Sequence, residues 1–195
     1  SLGVEAHSGG GYRLAMEGFD YVVVGGSSAG CVVASRLSED PSVRVCLLEA
    51  GGEGRDVLIR APLGFAVAMP AGINSWDYQT VPQPGFNGRR GFQPRGKVLG
   101  GSTAINAMIY ARGPRSDYDN WAALGNPGWG YDDVLPYFKK SECNAIHRDS
   151  PFHGVDGPLH VTNLRSPSPL NDVFLDACQE QGIPFNPDLN GAQHH

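Results

Sequence analysis

Apolar and polar positions along the first fifty residues change period twice. From Phe19 to Val24 the chain is almost continuously apolar and β-branched, then stops at two glycines. Such a run predicts a strand buried on both faces of a parallel sheet. Beyond the glycines, Ala29, Cys31, Val32, Val33, Ala34 and Leu37 are small or apolar at helical spacing. They predict a helix that packs one face against the sheet until Ser38-Glu39-Asp40-Pro41 ends it. Arg44 to Leu48 predicts a second strand. Strand, glycine turn, helix and strand fit within about 30 residues, the size of a right-handed βαβ crossover.

Between Gly51 and Arg95 the periodicity fades into glycine, proline and scattered aromatics, which predicts long loops of the kind that cover a ligand. Gly100 to Ala111 reads as a glycine turn opening a helix. Tyr131 to Lys140 reads as an amphipathic helix carrying a proline, and Pro158 to Val161 as a strand. Pro169 to Gln181 places Leu170, Val173, Phe174 and Ala177 at helical spacing, with Gly182 as its C-terminal cap. No internal repeat or low-complexity tract is present.

Composition narrows the class. Of 195 residues, 41% are hydrophobic and 18% charged, with a net charge of −5, which describes a mildly acidic globular protein. No block of about five basic residues occurs, so neither a nucleic-acid footprint nor an anionic-membrane patch is legible. Cys31, Cys46, Cys143 and Cys178 are scattered, without the spacing of a zinc site or disulfide scaffold, and are expected to be reduced, mostly buried thiols. The longest weakly apolar stretch, APLGFAVAMPAGI, falls short of the roughly 20 residues needed to span a bilayer. Residues 1–15 are expected to be a disordered leader or an appended extension, with Met16 as the natural start. The turn-rich end, PFNPDLNGAQHH, leads us to expect a fragment of a longer protein.

The first candidate chemistry lies in the turn Gly25-Gly26-Ser27-Ser28-Ala29-Gly30. In a dinucleotide fold one glycine permits the tight turn, a second lets the backbone approach the pyrophosphate, and a third lets helix and strand pack closely. Gly25 and Gly30 fill the first and third roles. Ser27 stands in the second, where its Cβ crowds the approach while its hydroxyl can donate to phosphate. Anion binding is expected to survive, because the helix beginning near Ser28 supplies amide donors and a favourable dipole. Glu49, at the end of the next strand, lies close to the offset of roughly 20 residues expected for the acid that accepts from ribose hydroxyls, and it disfavours a 2′-phosphate. The plainer reading is a tight strand-helix turn with Glu49 as a solvated strand end.

A second cluster, RGKVLGGSTAINAMIYARG, sets Gly100-Gly101-Ser102-Thr103 ahead of Asn106 and forms a donor-rich concavity. FDYVVVGGSSAGCVVASRLSED, LLEAGG, SWDYQTVPQPG, this cluster and SDYDNWAALGNPGWGYDDVLPYFKKSE together resemble the amino-terminal part of the glucose-methanol-choline (GMC) flavoprotein oxidoreductases, and choline-dehydrogenase-like members in particular. The resemblance runs from about Glu17 to the last residue. It implies an α/β, Rossmann-like FAD-binding domain over residues 16–155, with long cofactor-covering loops, and the start of a substrate domain over residues 156–195. It also implies FAD contacts at Gly25, Ser27, Ser28, Gly30, Glu49 and Ala50, and along Val98, Gly101, Ser102, Asn106, Ala107, Met108 and Ile109. Some members attach FAD through a histidine just before the asparagine; Ile105 stands there, so FAD is expected to be non-covalent. The plainer role for Asn106 is to satisfy local backbone.

The family's reaction is oxidation of an alcohol by hydride transfer to flavin N5, with a histidine near the carboxyl terminus handling the hydroxyl proton. That histidine and its partner are expected beyond residue 195, and no catalytic residue is assigned within the chain. His147, His153, His160, His194 and His195 match no such motif; His153 reads as a turn histidine, and the His194-His195 pair lacks the partners of a metal site. The expected partners are a small alcohol substrate and, as a second candidate, a complementary carboxyl-terminal chain. The expected location is the cytoplasm, with peripheral attachment to the inner membrane left open. The rival readings are a flavin-dependent lyase or decarboxylase on the same scaffold, an inactive fragment that needs a partner chain, and NAD binding without flavin.

Overall fold

The computed structural model describes residues 18–193. The leader at 1–15, the start at Met16 and the His194-His195 pair lie outside the described residues. The chain forms two compact units that divide between Ile109 and Tyr110.

The first unit opens with the expected crossover. Strand β1 (Tyr21–Val24), helix α1 (Ser28–Leu37) and strand β2 (Val45–Leu48) follow in order. The strands are parallel, with Tyr21 opposite Val45 and Val24 opposite Leu48. Burial on both faces does not hold: Val22 is 55% and Val24 82% exposed. Among the described residues this sheet has only two strands, and α1 covers them on one side, which leaves half of the apolar run in solvent.

The stretch that reads as loop contains several very short elements. Helix α2 (Val57–Arg60) starts at Asp56, whose carboxylate accepts from Leu58 N and Ile59 N, an N-cap that satisfies two orphan amides. A 3₁₀ turn at Pro62–Gly64, helix α3 (Phe65–Ala68), strand β3 (Tyr78–Gln79) and strand β4 (Phe92–Gln93) follow, the two strands pairing antiparallel. Elements of two to four residues are too short to show a helical or strand period, so no pattern marks them.

The helix expected over Gly100 to Ala111 is absent. A 3₁₀ turn at Gly101–Ala104 is all that forms. Asn106 Oδ1 then accepts from Met108 N at 2.8 Å, and Met108 adopts φ +59°. The side chain thereby offers the backbone a local alternative to the helical ladder, and the left-handed residue ends any right-handed continuation.

The second unit begins with helix α4 (Arg115–Ala123), which has no counterpart in the sequence reading. Its polar run SDYDN hides the period, and it is held instead by aromatic edges: Tyr118 meets Trp121 at 5.3 Å, Phe138 at 5.6 Å and Tyr131 at 6.0 Å. Helix α5 (Tyr131–Ser141) carries Asp132 and Asp133 in its first turn and Lys139 and Lys140 in its last, each complementing the helix dipole, and tolerates Pro136 inside. Strands β5 (Glu142–Asn144) and β6 (Leu159–Val161) pair in parallel. Helix α6 (Pro169–Glu180) closes as expected: Gly182 takes φ +79°, Gly182 N donates to Gln179 O and Ile183 N to Cys178 O, a Schellman ending. The four cysteines are free but only half-buried, less enclosed than expected, because the thin elements carrying them leave one side open.

Candidate functional site

The glycine turn after β1 is built from close approaches. Gly25 takes φ +98°, the positive value that an L side chain resists, and its N–H donates to Leu48 O at 2.7 Å, tying the turn to the end of β2. A Cβ on Gly30 would stand 1.9 Å from Gly25 O, so the third glycine is needed to bring α1 against the strand. Ser27 is the N-cap residue of α1 at φ −80°, an ordinary extended value, so the serine costs the loop no backbone strain.

The first helical hydrogen bond of α1 is Cys31 N to Ser27 O at 2.8 Å. The amides of Ser28, Ala29 and Gly30 therefore precede the ladder, and the Ser27 side chain caps none of them. Ser27 and Ser28 are exposed and Gly26 is buried. A helix ten residues long, opened by uncapped amides at a crowded glycine turn, fits a diphosphate.

Glu49 joins this cradle. Its Oε2 accepts from Gly26 N at 2.8 Å and its Oε1 from Gly51 N at 2.8 Å. A carboxylate has about four acceptor positions, so these two bonds fix its orientation while leaving capacity for sugar hydroxyls. Glu49 is half-buried, and Ala50 beside it is exposed.

The second glycine cluster docks on the first. Gly100 N donates to Gly26 O at 2.7 Å, and Leu99 N to Gly52 O at 2.8 Å. A Cβ on Gly101 would fall 2.8 Å from the Ser27 Cβ. Ser28 and Thr103 join hydroxyl to hydroxyl. Ser102 Oγ accepts from Gly96 N at 3.1 Å. Val98 is fully enclosed by protein and packs as core.

Gly25, Ser27, Ser28, Gly30, Glu49, Val98, Gly101 and Ser102 thus gather around one turn. Asn106, Ala107, Met108 and Ile109 leave that cluster: all four are exposed, and Asn106 satisfies local backbone. The contacts named from the sequence leave out Thr103 and Gly26, which stand inside the two clusters, and Gly51. The doubled glycines Gly25-Gly26 after β1 and Gly51-Gly52 after LLEA were the available signal for the last two.

A buried polar network occupies the second unit, and nothing in the sequence announced it. Arg112, Glu142 and His153 have side chains exposed by 2%, 0% and 1%. Arg112 Nη2 donates to Glu142 Oε2 at 2.7 Å, and Arg112 Nη1 to Phe152 O at 2.7 Å. Glu142 also accepts from Asn144 Nδ2 at 2.9 Å and Gly154 N at 3.1 Å. His153 Nδ1 lies 2.9 Å from Glu142 Oε1, and Nε2 lies 3.0 Å from Asp188 Oδ2. His153 does sit in a turn, its N donating to Ser150 O at 3.3 Å, and its ring is in addition buried between two carboxylates. Burial pushes the Glu142 carboxyl up, but hydrogen bonds from Asn144, His153 and Gly154 N, with the nearby His153, hold it below the usual glutamate range. An open groove of about 720 Å³, lined by Lys139, Lys140, Arg148, Asp149, Asp156 and His153 among others, belongs to this unit and contains none of the expected cofactor residues.

Among the described residues no cluster of potential ligands could hold a metal ion, and no helix is long and apolar enough to cross a membrane.

A family model described as GMC oxidoreductase matches residues 19–195. An alcohol dehydrogenase [acceptor] of Pseudomonas putida is 48% identical over 89% of this chain and 32% of its own length. A mitochondrial choline dehydrogenase of Mus musculus is 45% identical over 90% of this chain and 30% of its own. Among solved structures, pyridoxine 4-oxidase from Mesorbium loti superposes with a TM-score of 0.78 at 40% identity, over 86% of this chain and 33% of that one. The chain therefore spans about a third of the length of the relatives it matches.

Proposed function

The chain belongs to the GMC oxidoreductase family, whose members are FAD-dependent oxidoreductases, and on that premise we propose that it supplies the FAD-binding portion of an enzyme that oxidises an alcohol. The observation that carries this reading is the Glu49 carboxylate held by Gly26 N and Gly51 N beside the uncapped start of α1. Diphosphate needs amide donors and a dipole, the adjoining ribose needs an acceptor, and this turn offers both.

Bound FAD would supply the redox chemistry, accepting hydride at flavin N5 from the alcohol carbon. The chain's own residues bind and orient. The amides of Ser28, Ala29 and Gly30 would take the diphosphate, Glu49 the ribose hydroxyls, and the exposed Asn106 to Ile109 segment would lie along the flavin. Ile105 is buried and aliphatic, which supports non-covalent attachment. The proton-handling histidine is assigned to residues beyond 195, in keeping with the short span of the relatives covered. Residues 16–155 are proposed as FAD-binding and 156–195 as the beginning of the substrate region, with a small alcohol as substrate, a complementary carboxyl-terminal segment as the completing partner, and a cytoplasmic setting.

The test is release of the chromophore. The purified protein should be yellow, and acid precipitation should leave free flavin in the supernatant. A flavin that pellets with the protein overturns the non-covalent reading, and a colourless preparation that binds NAD instead overturns the flavin reading.

A further inference from the structure

The geometry points to a pH-operated clasp in the second unit, in which His153 as an imidazolium joins Glu142 to Asp188 and so holds the Asp188–Asn190 loop against the Tyr110–Arg112 segment. Both ring nitrogens face carboxylates, Nδ1 at 2.9 and 3.1 Å from the Glu142 oxygens and Nε2 at 3.0 and 3.2 Å from those of Asp188. An ionised carboxylate only accepts, so the ring serves both carboxylates only if both nitrogens carry hydrogen, which makes it a cation; Asn144 Nδ2, 3.0 Å from Nδ1, is the donor that a bare Nδ1 would accept from instead. Charge balance agrees. Arg112 and protonated His153 match Glu142 and Asp188, whereas a neutral ring leaves the enclosed cluster with one negative charge too many.

What the clasp holds is defined by the bonds around Asp188. Asp188 Oδ1 accepts from Asn190 N at 3.1 Å. Asn190 Oδ1 accepts from Arg112 N at 2.7 Å, and Asn190 Nδ2 donates to Tyr110 O at 3.0 Å. Asn190 is buried, and the loop reaches His153 through Asp188. Other groups set the field. His147 stacks on the His153 ring at 5.2 Å. Lys139, Lys140, Arg148, Asp149 and Asp156 line the groove that reaches it. When His153 loses the proton on Nδ1, that nitrogen can accept from Asn144 Nδ2 at 3.0 Å but faces the Glu142 carboxylate as an acceptor. The enclosed cluster gains an unmatched negative charge, and the ion-pair part of the hold on Asp188 is lost, so the loop loosens. The clasp is closed on the acid side of that titration and open on the alkaline side.

The test follows ring and loop together in the full chain from about pH 5 to about pH 9, a span wider than the interval over which free histidine changes charge. Nitrogen-15 spectra of His153 should show two protonated ring nitrogens on the acid side. Amide exchange across Asp188–Gly191, corrected for its intrinsic pH dependence, should rise roughly tenfold or more as one of them is lost, the worth of one charge-assisted hydrogen bond. In Asp188→Asn, which keeps an acceptor but removes the charge, the pH-dependent rise should disappear. One protonated and one bare nitrogen throughout the range overturns the clasp, as does loop exchange that ignores the titration of the ring. Because the spectra are read on the unmodified chain, a variant that fails to fold leaves the test intact.

Discussion

Gly26 and Glu49 stand 23 residues apart and meet through one hydrogen bond, Gly26 N donating to Glu49 Oε2 at 2.8 Å. With Oε1 held by Gly51 N, the carboxylate is fixed at the mouth of the turn before any sugar arrives. Preorganised acceptors lose little entropy on binding, so this pair makes the acid an effective ribose anchor.

Replacing Glu49 with Gln keeps the shape and one acceptor but removes the charge. We expect FAD to be held less tightly by about 1–1.5 kcal/mol, roughly five- to twelvefold in Kd, the difference between charged and neutral hydrogen bonds. Equilibrium release followed by flavin fluorescence measures it. Unchanged retention would reduce Glu49 to a brace for the turn.

Gly30→Ala should be far more harmful than Ser27→Gly. The added methyl at residue 30 would lie 1.9 Å from Gly25 O, a clash with backbone that can be relieved only by moving α1, so we expect a loss of about 1–3 kcal/mol or more. Ser27 already sits at φ −80° as an N-cap without a side-chain bond, so glycine there changes stability by only a few tenths, about 0.5 kcal/mol at most. Thermal melts of the two variants rank them directly.

These glycine positions show what the sequence could and could not reveal. The crossover was legible because β1, α1 and β2 each span at least one period of their pattern, and the turn because its chemistry needs small residues at fixed places. Helix α4 was hidden by SDYDN, and the helix expected after Gly100 failed because Asn106 competes for the backbone at Met108. The Arg112, Glu142, His153 and Asp188 cluster was illegible for another reason. Its partners are 30, 11 and 35 residues apart, and no local spacing encodes contacts made only by the fold.

Glu142 makes stability sensitive to acid. Its carboxyl is held below the usual glutamate range in the folded chain, so the unfolded chain takes up the proton first as pH falls. The stabilisation is fully present above the unfolded value, about 4.3, and is lost as pH falls through the lowered folded value. Melting temperature against pH should show this decline, and Glu142→Gln should flatten it while lowering stability near neutrality. An unchanged acid limb in that variant would place the sensitivity elsewhere.

Arg112 supplies the other half of that pair. Arg112→Met leaves the enclosed Glu142 without its guanidinium and should cost about 3–5 kcal/mol, as breaking a buried ion pair from one side does. Adding Glu142→Leu should recover only part of the loss, since the same carboxylate also engages Asn144, His153 and Gly154. Denaturant titration of the single and double variants gives the comparison; full recovery would mean that those three contacts contribute nothing.

Strands β1 and β2 pair with each other and, among the described residues, with no third strand, while Val22, Val24 and Leu48 remain open to water. Each therefore offers a bare lateral rim to any extended segment nearby. A rim of that kind is where a further strand would add its backbone hydrogen bonds, and whatever packs beside it would take Val22, Val24 and Leu48 out of water together.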